Sequence, residues 1–130
     1  MIPTYIIVHH SLTKDSQTVS WNAIRWYHTN TMGWRDIGYQ CGIELVGTHY
    51  EILMGRMLDE VGAHCKEGGM NSTSIGICCV GNFDDDLIPN VQLDMLVRLT
   101  RSLRNVFSIP VENVKRHSDF AGGTKTGNVR

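Results

Sequence analysis

The stretch Tyr5-Ile-Ile-Val-His-His-Ser11 predicts a buried strand that ends on two histidines. Its first residues are aromatic or β-branched, as in the inner strands of a sheet, and a small polar residue follows where a loop would begin. A second short apolar run, which starts at Val114, leads to His117 in the same way. Two imidazoles held at strand ends suit a catalytic metal, because rigid neighbours fix the rings in place.

The length and composition are those of one ordinary protein domain. The chain has 130 residues, of which 42% are hydrophobic and 19% charged, with a net charge of −1. It contains no long basic run, so nucleic acid is not a predicted partner. No segment reads as an export signal or a membrane span. We therefore expect a monomer that accumulates in the cytoplasm and makes no membrane contact.

Strand and helix patterns alternate along the chain, which predicts an α/β fold. We expect a single domain over residues 1–130, with a central mixed β-sheet of about five strands flanked by helices. The two residues Gly47-Thr48 suit a hairpin turn between two of the strands. The predicted strands are Tyr5–Val8, Tyr39–Val46, His49–Met54, Ser74–Val80 and a last one led by Val114.

Two helices are predicted from their apolar periodicity. Thr18 is a plausible N-cap for the first helix, and Asn90 for the second, which Pro110 ends. The inner face of the first is predicted to carry Val19, Ala23, Trp26 and Tyr27. The inward stripe of the second is predicted to carry Leu93, Leu96, Val97, Thr100, Leu103 and Phe107.

The cysteines have no spacing typical of a metal clamp or a disulfide framework. Cys78 and Cys79 are adjacent in a predicted strand, so their side chains should face opposite sides of the sheet. Together with Cys41 and Cys65 they are interpreted as buried free thiols in a reducing compartment.

Several short motifs occur in a fixed order along almost the whole chain. They are Val8-His-His-Ser11, Gly33-Trp-Arg-Asp-Ile-Gly-Tyr39, Gly55-Arg56, Val61-Gly-Ala-His64, Asn71-Ser-Thr-Ser-Ile-Gly76, Val80-Gly-Asn-Phe83 and Arg116-His-Ser-Asp-Phe120. Together they resemble the zinc-dependent N-acetylmuramoyl-L-alanine amidases of the type-2 amidase and peptidoglycan-recognition-protein family, and the short phage lysozyme-amidases in particular. The resemblance runs from about Tyr5 to Lys125.

The resemblance implies a reaction and a partner. The reaction is hydrolysis of the amide bond between N-acetylmuramic acid and L-alanine in bacterial peptidoglycan, with Zn²⁺ and no organic cofactor. As in a phage lysin, the protein would reach the wall by another route after release from the cytoplasm.

The resemblance also implies roles for individual residues. His9 and His117 match the two zinc-binding histidines. Tyr39 matches a tyrosine beside the attacking water, and Lys125 matches a residue that faces the scissile carbonyl. The residues that match the lining of the muramyl-peptide groove are Trp34 and His64.

Plainer roles stay open for several side chains. Tyr39 could be only a core aromatic residue, and His10 should point away from His9 and pack or form a hydrogen bond. The run Asp84–Asp86 is most simply a solvated loop. Scaffold, surface or core roles are expected for His28, His49, Trp21 and Trp26.

The tail departs from the family pattern. After Thr126 the family continues with Cys-Pro-Gly, whose thiolate is the third zinc ligand, whereas this chain has Gly127. The loop is either truncated or altered after Thr126, and the other cysteines offer no evident substitute. Asp119 could supply a carboxylate, although a hydrogen bond to loop amides is its more common role. Two hypotheses follow: a zinc amidase that holds its metal weakly, or a peptidoglycan-binding module that has lost a ligand.

Overall fold

The structure is a computed structural model that describes residues 1–11, 20–81 and 87–121. Its strands are β1 (Tyr5–His10), β2 (Cys41–Val46), β3 (His49–Met54), β4 (Ser74–Cys79) and β5 (Val114–Arg116). Its α-helices are α1 (Trp21–Trp26), α2 (Asn90–Phe107) and α3 (Ser118–Ala121). A π-helical turn covers Tyr27–Thr31, and 3₁₀ turns cover Glu67–Ser72 and Val111–Asn113.

The strands form one mixed sheet in the order β3-β2-β4-β1-β5. β1 lies parallel to both β4 and β5, and β2 is parallel to β4, so these strands end at one edge of the sheet. β2 and β3 form the predicted antiparallel hairpin, in which Val46 pairs with His49. The α/β class, the mixed sheet and the five strands confirm the prediction from sequence.

Alternate side chains of β1 point to opposite faces of the sheet. Ile6 belongs to the larger apolar core, which α2 covers. Ile7 belongs to a smaller core on the other face, together with Cys65. His9 is therefore on the face of Ile7, and His10 is on the face of Ile6. This separation leaves only one histidine of the pair on the side that carries the candidate site.

The cysteine prediction is confirmed as far as burial is concerned. All four cysteines are buried and none forms a disulfide. Cys78 packs with Trp21 and Ile37 on one face of the sheet, while Cys79 packs in the larger core on the other.

The first helix differs from its prediction in both its start and its buried face. Its N-cap is Ser20, whose side chain accepts a hydrogen bond from the Ala23 amide at 3.1 Å, and not Thr18. Trp26 is 63% exposed and Tyr27 is 51% exposed, whereas Trp21 is buried. The α-helix is only six residues long and continues as a π-helical turn, so an ideal helical period does not describe its faces.

The second helix was predicted with nearly correct bounds but with an imperfect inner face. The residue before it, Pro89, is its N-cap, and Asn90 is its first residue. Leu93 and Val97 are 41% and 43% exposed, while Gln92 is buried. The Gln92 side-chain amide donates to the Ile43 carbonyl at 2.9 Å, so a polar residue secures this helix to the sheet. Leu96, Leu103 and Phe107 pack against the larger core as predicted.

Some predictions lie outside the described residues. They concern Val19, Asp84–Asp86, Lys125 and Gly127. Among the described residues, no helix is long and apolar enough to cross a membrane.

Candidate active site

The ends of two neighbouring strands bring His9 and His117 together. β1 and β5 are parallel, with Val8 beside Arg116, so the residue that follows each of these lies at the same edge. The His117 amide donates to the Val8 carbonyl at 3.3 Å. The centroids of the His9 and His117 rings are 5.0 Å apart. A separation of more than one hundred residues in sequence thus becomes a direct contact between two imidazoles.

His9 is the most enclosed member of this group. Its side chain is 1% exposed, and its ring centroid lies 5.1 Å from that of Tyr39 and 4.9 Å from that of His64. Burial, and then the neighbouring His64 and His117, lower the pKa of His9 well below its usual value. The ring is consequently neutral at pH 7, which is the form of histidine that binds metal ions.

A chain of ring contacts fixes which nitrogen of His9 carries its proton. His64 Nε2 lies 3.4 Å from the Ser74 carbonyl oxygen, an acceptor, so this nitrogen is assigned the proton of His64. His64 Nδ1 then accepts from His9 Nε2 at 2.8 Å. His9 Nδ1 is left with a free lone pair, and it is buried without a hydrogen-bond partner among the described residues. The arrangement prepares His9 Nδ1 to act as a ligand.

The loop that carries His64 is held by polar side chains that sequence reasoning did not single out. Asn71 Oδ1 accepts from the amides of His64 and Cys65 at 2.7 and 2.8 Å. The buried Arg56 guanidinium donates to the carbonyls of Ile37 and Val61 at 2.9 and 2.8 Å. The motifs around Asn71 and Arg56 therefore position the loop that carries His64.

Gly76 lets the His64 ring lie directly on β4. A Cβ atom added at Gly76 would be 2.5 Å from His64 Cγ and 2.7 Å from its Nδ1, closer than side chains approach. The ring has no room to retreat without losing its contact with His9. A side chain at position 76 is therefore incompatible with the observed His9–His64 contact.

We expect Gly76→Ala to destabilise the protein by about 1–3 kcal/mol, the usual cost of overpacking a tight site. The free energy of unfolding, measured with denaturant, checks this. In a His64→Ala background the same substitution should cost much less, because the ring that it strikes is gone. An equal cost in both backgrounds would show that the contact with His64 is not the cause.

Trp34 and His64 line one side of a cavity of about 270 Å³ that also contacts His117. The Trp34 ring packs on His28, with centroids 4.6 Å apart, and His28 Nδ1 accepts from the Gly38 amide at 2.9 Å. His28 is thus a scaffold residue, as expected. The position of Trp34 and His64 beside His117 is compatible with the groove-lining role implied for them.

Tyr39 lies between the histidines and a second cavity, of about 510 Å³, which Ser11, Trp26 and His28 also line. Burial raises the pKa of Tyr39 well above its usual value, and its nearest polar neighbour is the Cys78 thiol. Its hydroxyl therefore keeps its proton and can donate a hydrogen bond at neutral pH.

The remaining candidate ligands are dispersed. Asp119 accepts from the Arg116 amide at 2.8 Å, the loop hydrogen bond that was its expected role. His10 is buried on the opposite face of the sheet, and His49 is exposed and paired with Glu51. Lys125 and Gly127 lie outside the described residues, and the predictions on them stay predictions.

The sequence interpretation missed a second group of candidate ligands beside His117. Ligand atoms of Cys65, Glu67 and His117 all lie within 4.8 Å of one another. The sequence offered no evident substitute for the missing thiolate, whereas the structure places Cys65 next to one of the two site histidines. A sequence cue existed, since Cys65 directly follows His64, but the approach of Glu67 depends on the turn after it.

The donor set fits a zinc ion. His117 Nδ1, like His9 Nδ1, is buried without a hydrogen-bond partner among the residues that the structure describes. An orphaned buried nitrogen is costly, and a bound cation would satisfy it. Imidazole and thiolate groups are ligands that zinc prefers.

Comparisons with known proteins agree with this arrangement. The sequence profile of the family described as N-acetylmuramoyl-L-alanine amidase matches residues 1–127. An endolysin of Enterobacteria phage K11 is 36% identical over 119 residues, which cover 88% of this chain and 74% of that protein. Matches to other phage endolysins cover 48% or 49% of their length, so the chain spans about half the length of these curated relatives.

Solved structures show the same fold. The N-acetylmuramoyl-L-alanine amidase LysC from Clostridium intestinale superposes with a TM-score of 0.78 at 32% identity, covering 92% of this chain and 72% of that one. A variant of Drosophila PGRP-LB in complex with tracheal cytotoxin superposes with a TM-score of 0.75 at 26% identity, covering 92% and 73%.

Proposed function

Because this chain belongs to the N-acetylmuramoyl-L-alanine amidase family, we propose that it hydrolyses the amide bond between N-acetylmuramic acid and L-alanine in bacterial peptidoglycan. The observation that supports this most directly is the pair of adjacent buried imidazoles, each with an unpartnered Nδ1 among the described residues. Apolar side chains would fill the same space without the cost of burying polar nitrogens, so packing alone does not explain the pair.

In this proposal, His9 and His117 hold the zinc ion. The chemistry that zinc supplies when bound is polarisation of the scissile carbonyl and activation of a water at neutral pH. His64 Nδ1 accepts a hydrogen bond from His9 Nε2 and so orients the His9 ring. Burial lowers the pKa of His64 to about 4, so His64 also stays neutral and adds no repulsion toward a cation. Neither His9 nor His64 therefore has to lose a proton before the ion binds.

Tyr39 and Lys125 are proposed to act on the substrate carbonyl. The Tyr39 hydroxyl keeps its proton and can donate to the oxyanion that forms during attack. Lys125 is assigned by its place in the family motif, and its ammonium would stabilise the same negative charge. The two cavities on either side of the histidines supply an open surface for the glycan and peptide arms.

The protein's partner is proposed to be the bacterial wall, as a phage-type lysin acting alone. The similarity to phage endolysins and to a recognition protein bound to tracheal cytotoxin supports a muramyl-peptide as the ligand. The open cavities around Trp34 and Tyr39 also suit an extended polymer better than a small enclosed substrate.

The test is digestion of purified peptidoglycan with the metal content of the protein measured in parallel. We expect new N-terminal alanine and intact glycan strands by mass spectrometry, loss of turbidity, and at least one zinc per chain. A chelator should stop cleavage and added zinc should restore it. Wall binding with no alanine release at any zinc concentration would instead identify a recognition module.

A further inference from the structure

We propose that Cys65, Glu67 and His117 Nε2 form a second binding site for a zinc-class divalent cation beside the His9–His117 pair, with Cys65 as a thiolate ligand. The inference deepens the proposed function and rests on it for the choice of metal. It concerns a thiol on the face of the sheet that carries His9.

The distances within this group are compatible with shared coordination of one ion. Glu67 Oε2 lies 3.4 Å from His117 Nε2 and 3.8 Å from Cys65 Sγ. Ligands at the usual zinc bond lengths and tetrahedral angles lie about 3.4 Å apart for nitrogen and oxygen, and about 3.6 Å apart for sulfur and oxygen. Two of the three pairs therefore lie near these separations, and all three ligand atoms lie within 4.8 Å of one another.

The donor types also fit one class of metal. A thiolate, an imidazole and a carboxylate are suited to zinc, whereas magnesium and calcium prefer oxygen ligands alone. The ligand carboxylate and thiolate carry negative charge, so they repel each other unless a cation lies between them.

The backbone holds each ligand without relying on the others. The Cys65 amide donates to Asn71 Oδ1 at 2.8 Å, and its side chain is 2% exposed. Gly68 and Gly69 have φ values of 66° and 71°, a left-handed conformation that turns the chain directly after Glu67. His117 follows β5 at the edge of the sheet. A site whose members are positioned independently is preorganised for its ion.

The site is also accessible from solvent. Cys65, Glu67 and His117 line the cavity of about 270 Å³ that contains Trp34 and His64. The Glu67 side chain is 37% exposed and that of His117 is 13% exposed, so a cation can enter past the carboxylate. Lys66 lines the same cavity, and it is the positive charge nearest to that entrance among the lining residues.

Cobalt titration of the full chain after chelator treatment tests this site directly. Cobalt(II) bound by a thiolate gives a charge-transfer absorption in the near ultraviolet, which nitrogen and oxygen ligands do not give. We expect this band in the wild-type protein at saturating cobalt and its loss in Cys65→Ser. Zinc affinity, measured by competition with a chelating dye, should fall at least 10-fold in the same variant.

Two further variants keep the result interpretable. Cys79→Ala, on the other face of the sheet, should keep both the band and the affinity. Glu67→Gln should weaken cobalt binding about 10-fold while the band remains, which tests the site even where Cys65→Ser does not fold. A band that persists in Cys65→Ser, or cobalt binding with no band in the wild type, would overturn the proposal.

The outcomes separate this inference from the proposed function. If the protein releases alanine from peptidoglycan but its cobalt complex shows no thiolate band, the amidase proposal is supported and Cys65 is not a ligand. If the band depends on Cys65 but the protein releases no alanine, the metal site is supported and the amidase proposal is refuted.

Discussion

Replacing His9 with alanine should remove the zinc ion held by the His9–His117 pair and lower the rate of wall cleavage by more than about 100-fold, beyond the usual effect of losing a residue that only orients a ligand. His9 lies 5.0 Å from His117 between ring centroids, and its buried Nδ1 has no other described partner. Elemental analysis of the purified variant and a turbidity assay would measure the two effects. His117→Ala should behave in the same way.

A surface histidine provides the matched control for this experiment. His49 is exposed and paired with Glu51 in the β2–β3 hairpin, so His49→Ala should keep both zinc and activity. Circular dichroism should show that His9→Ala retains the fold. Unchanged zinc content in a folded His9→Ala protein would refute the assignment of His9 as a ligand.

Tyr39→Phe should lower turnover on the order of 100-fold while leaving the affinity for walls nearly unchanged. The hydroxyl contributes nothing to wall binding in the proposed role, but it donates a hydrogen bond to charge that develops in the transition state. Its raised pKa keeps it protonated throughout the neutral range. Turnover from the initial rate of alanine release and affinity from a wall-pelleting assay would be compared.

The control for Tyr39 is a tyrosine in the other core. Tyr50 packs against the larger core, away from the histidines, and Tyr50→Phe should change neither quantity. The Tyr39 hydroxyl also interacts with the Cys78 thiol, so a structural role is a real alternative. Equal losses of turnover, wall affinity and unfolding free energy in Tyr39→Phe would support that alternative.

The strands were predictable from sequence and the helix faces were less so. Runs such as Ser74–Cys79 consist of β-branched and small residues. They can be recognised as strands from sequence, and because a strand has only two faces, the side on which each residue lies follows from its position. In the first helix, Trp21 is the buried aromatic residue and Trp26 and Tyr27 are exposed, although all three are large and apolar enough for a core. In the second helix, Gln92 is buried through hydrogen bonds to the sheet that no hydrophobic period reveals.

Part of the candidate site was likewise predictable from sequence and part was not. The pairing of His9 with His117 followed from two strand ends, because strands that end at one edge bring their next residues together. The approach of Cys65 and Glu67 to His117 did not follow, since it depends on two left-handed glycines at 68 and 69 and on the Asn71 side chain. Loop geometry of this kind has no periodic signal in sequence.

The position of β1 in the sheet has a consequence for how the protein is made. β1 is the earliest strand in the chain, yet its two neighbours are β4 and β5, which come late. Such long-range pairing slows folding, because the entropy cost of closing a long loop arises before the stabilising contacts form. During synthesis, His9 leaves the ribosome long before His117, so a partly translated chain carries only half of the candidate site. Any hydrolytic competence therefore arises only after His117 has been synthesised and β5 has docked beside β1.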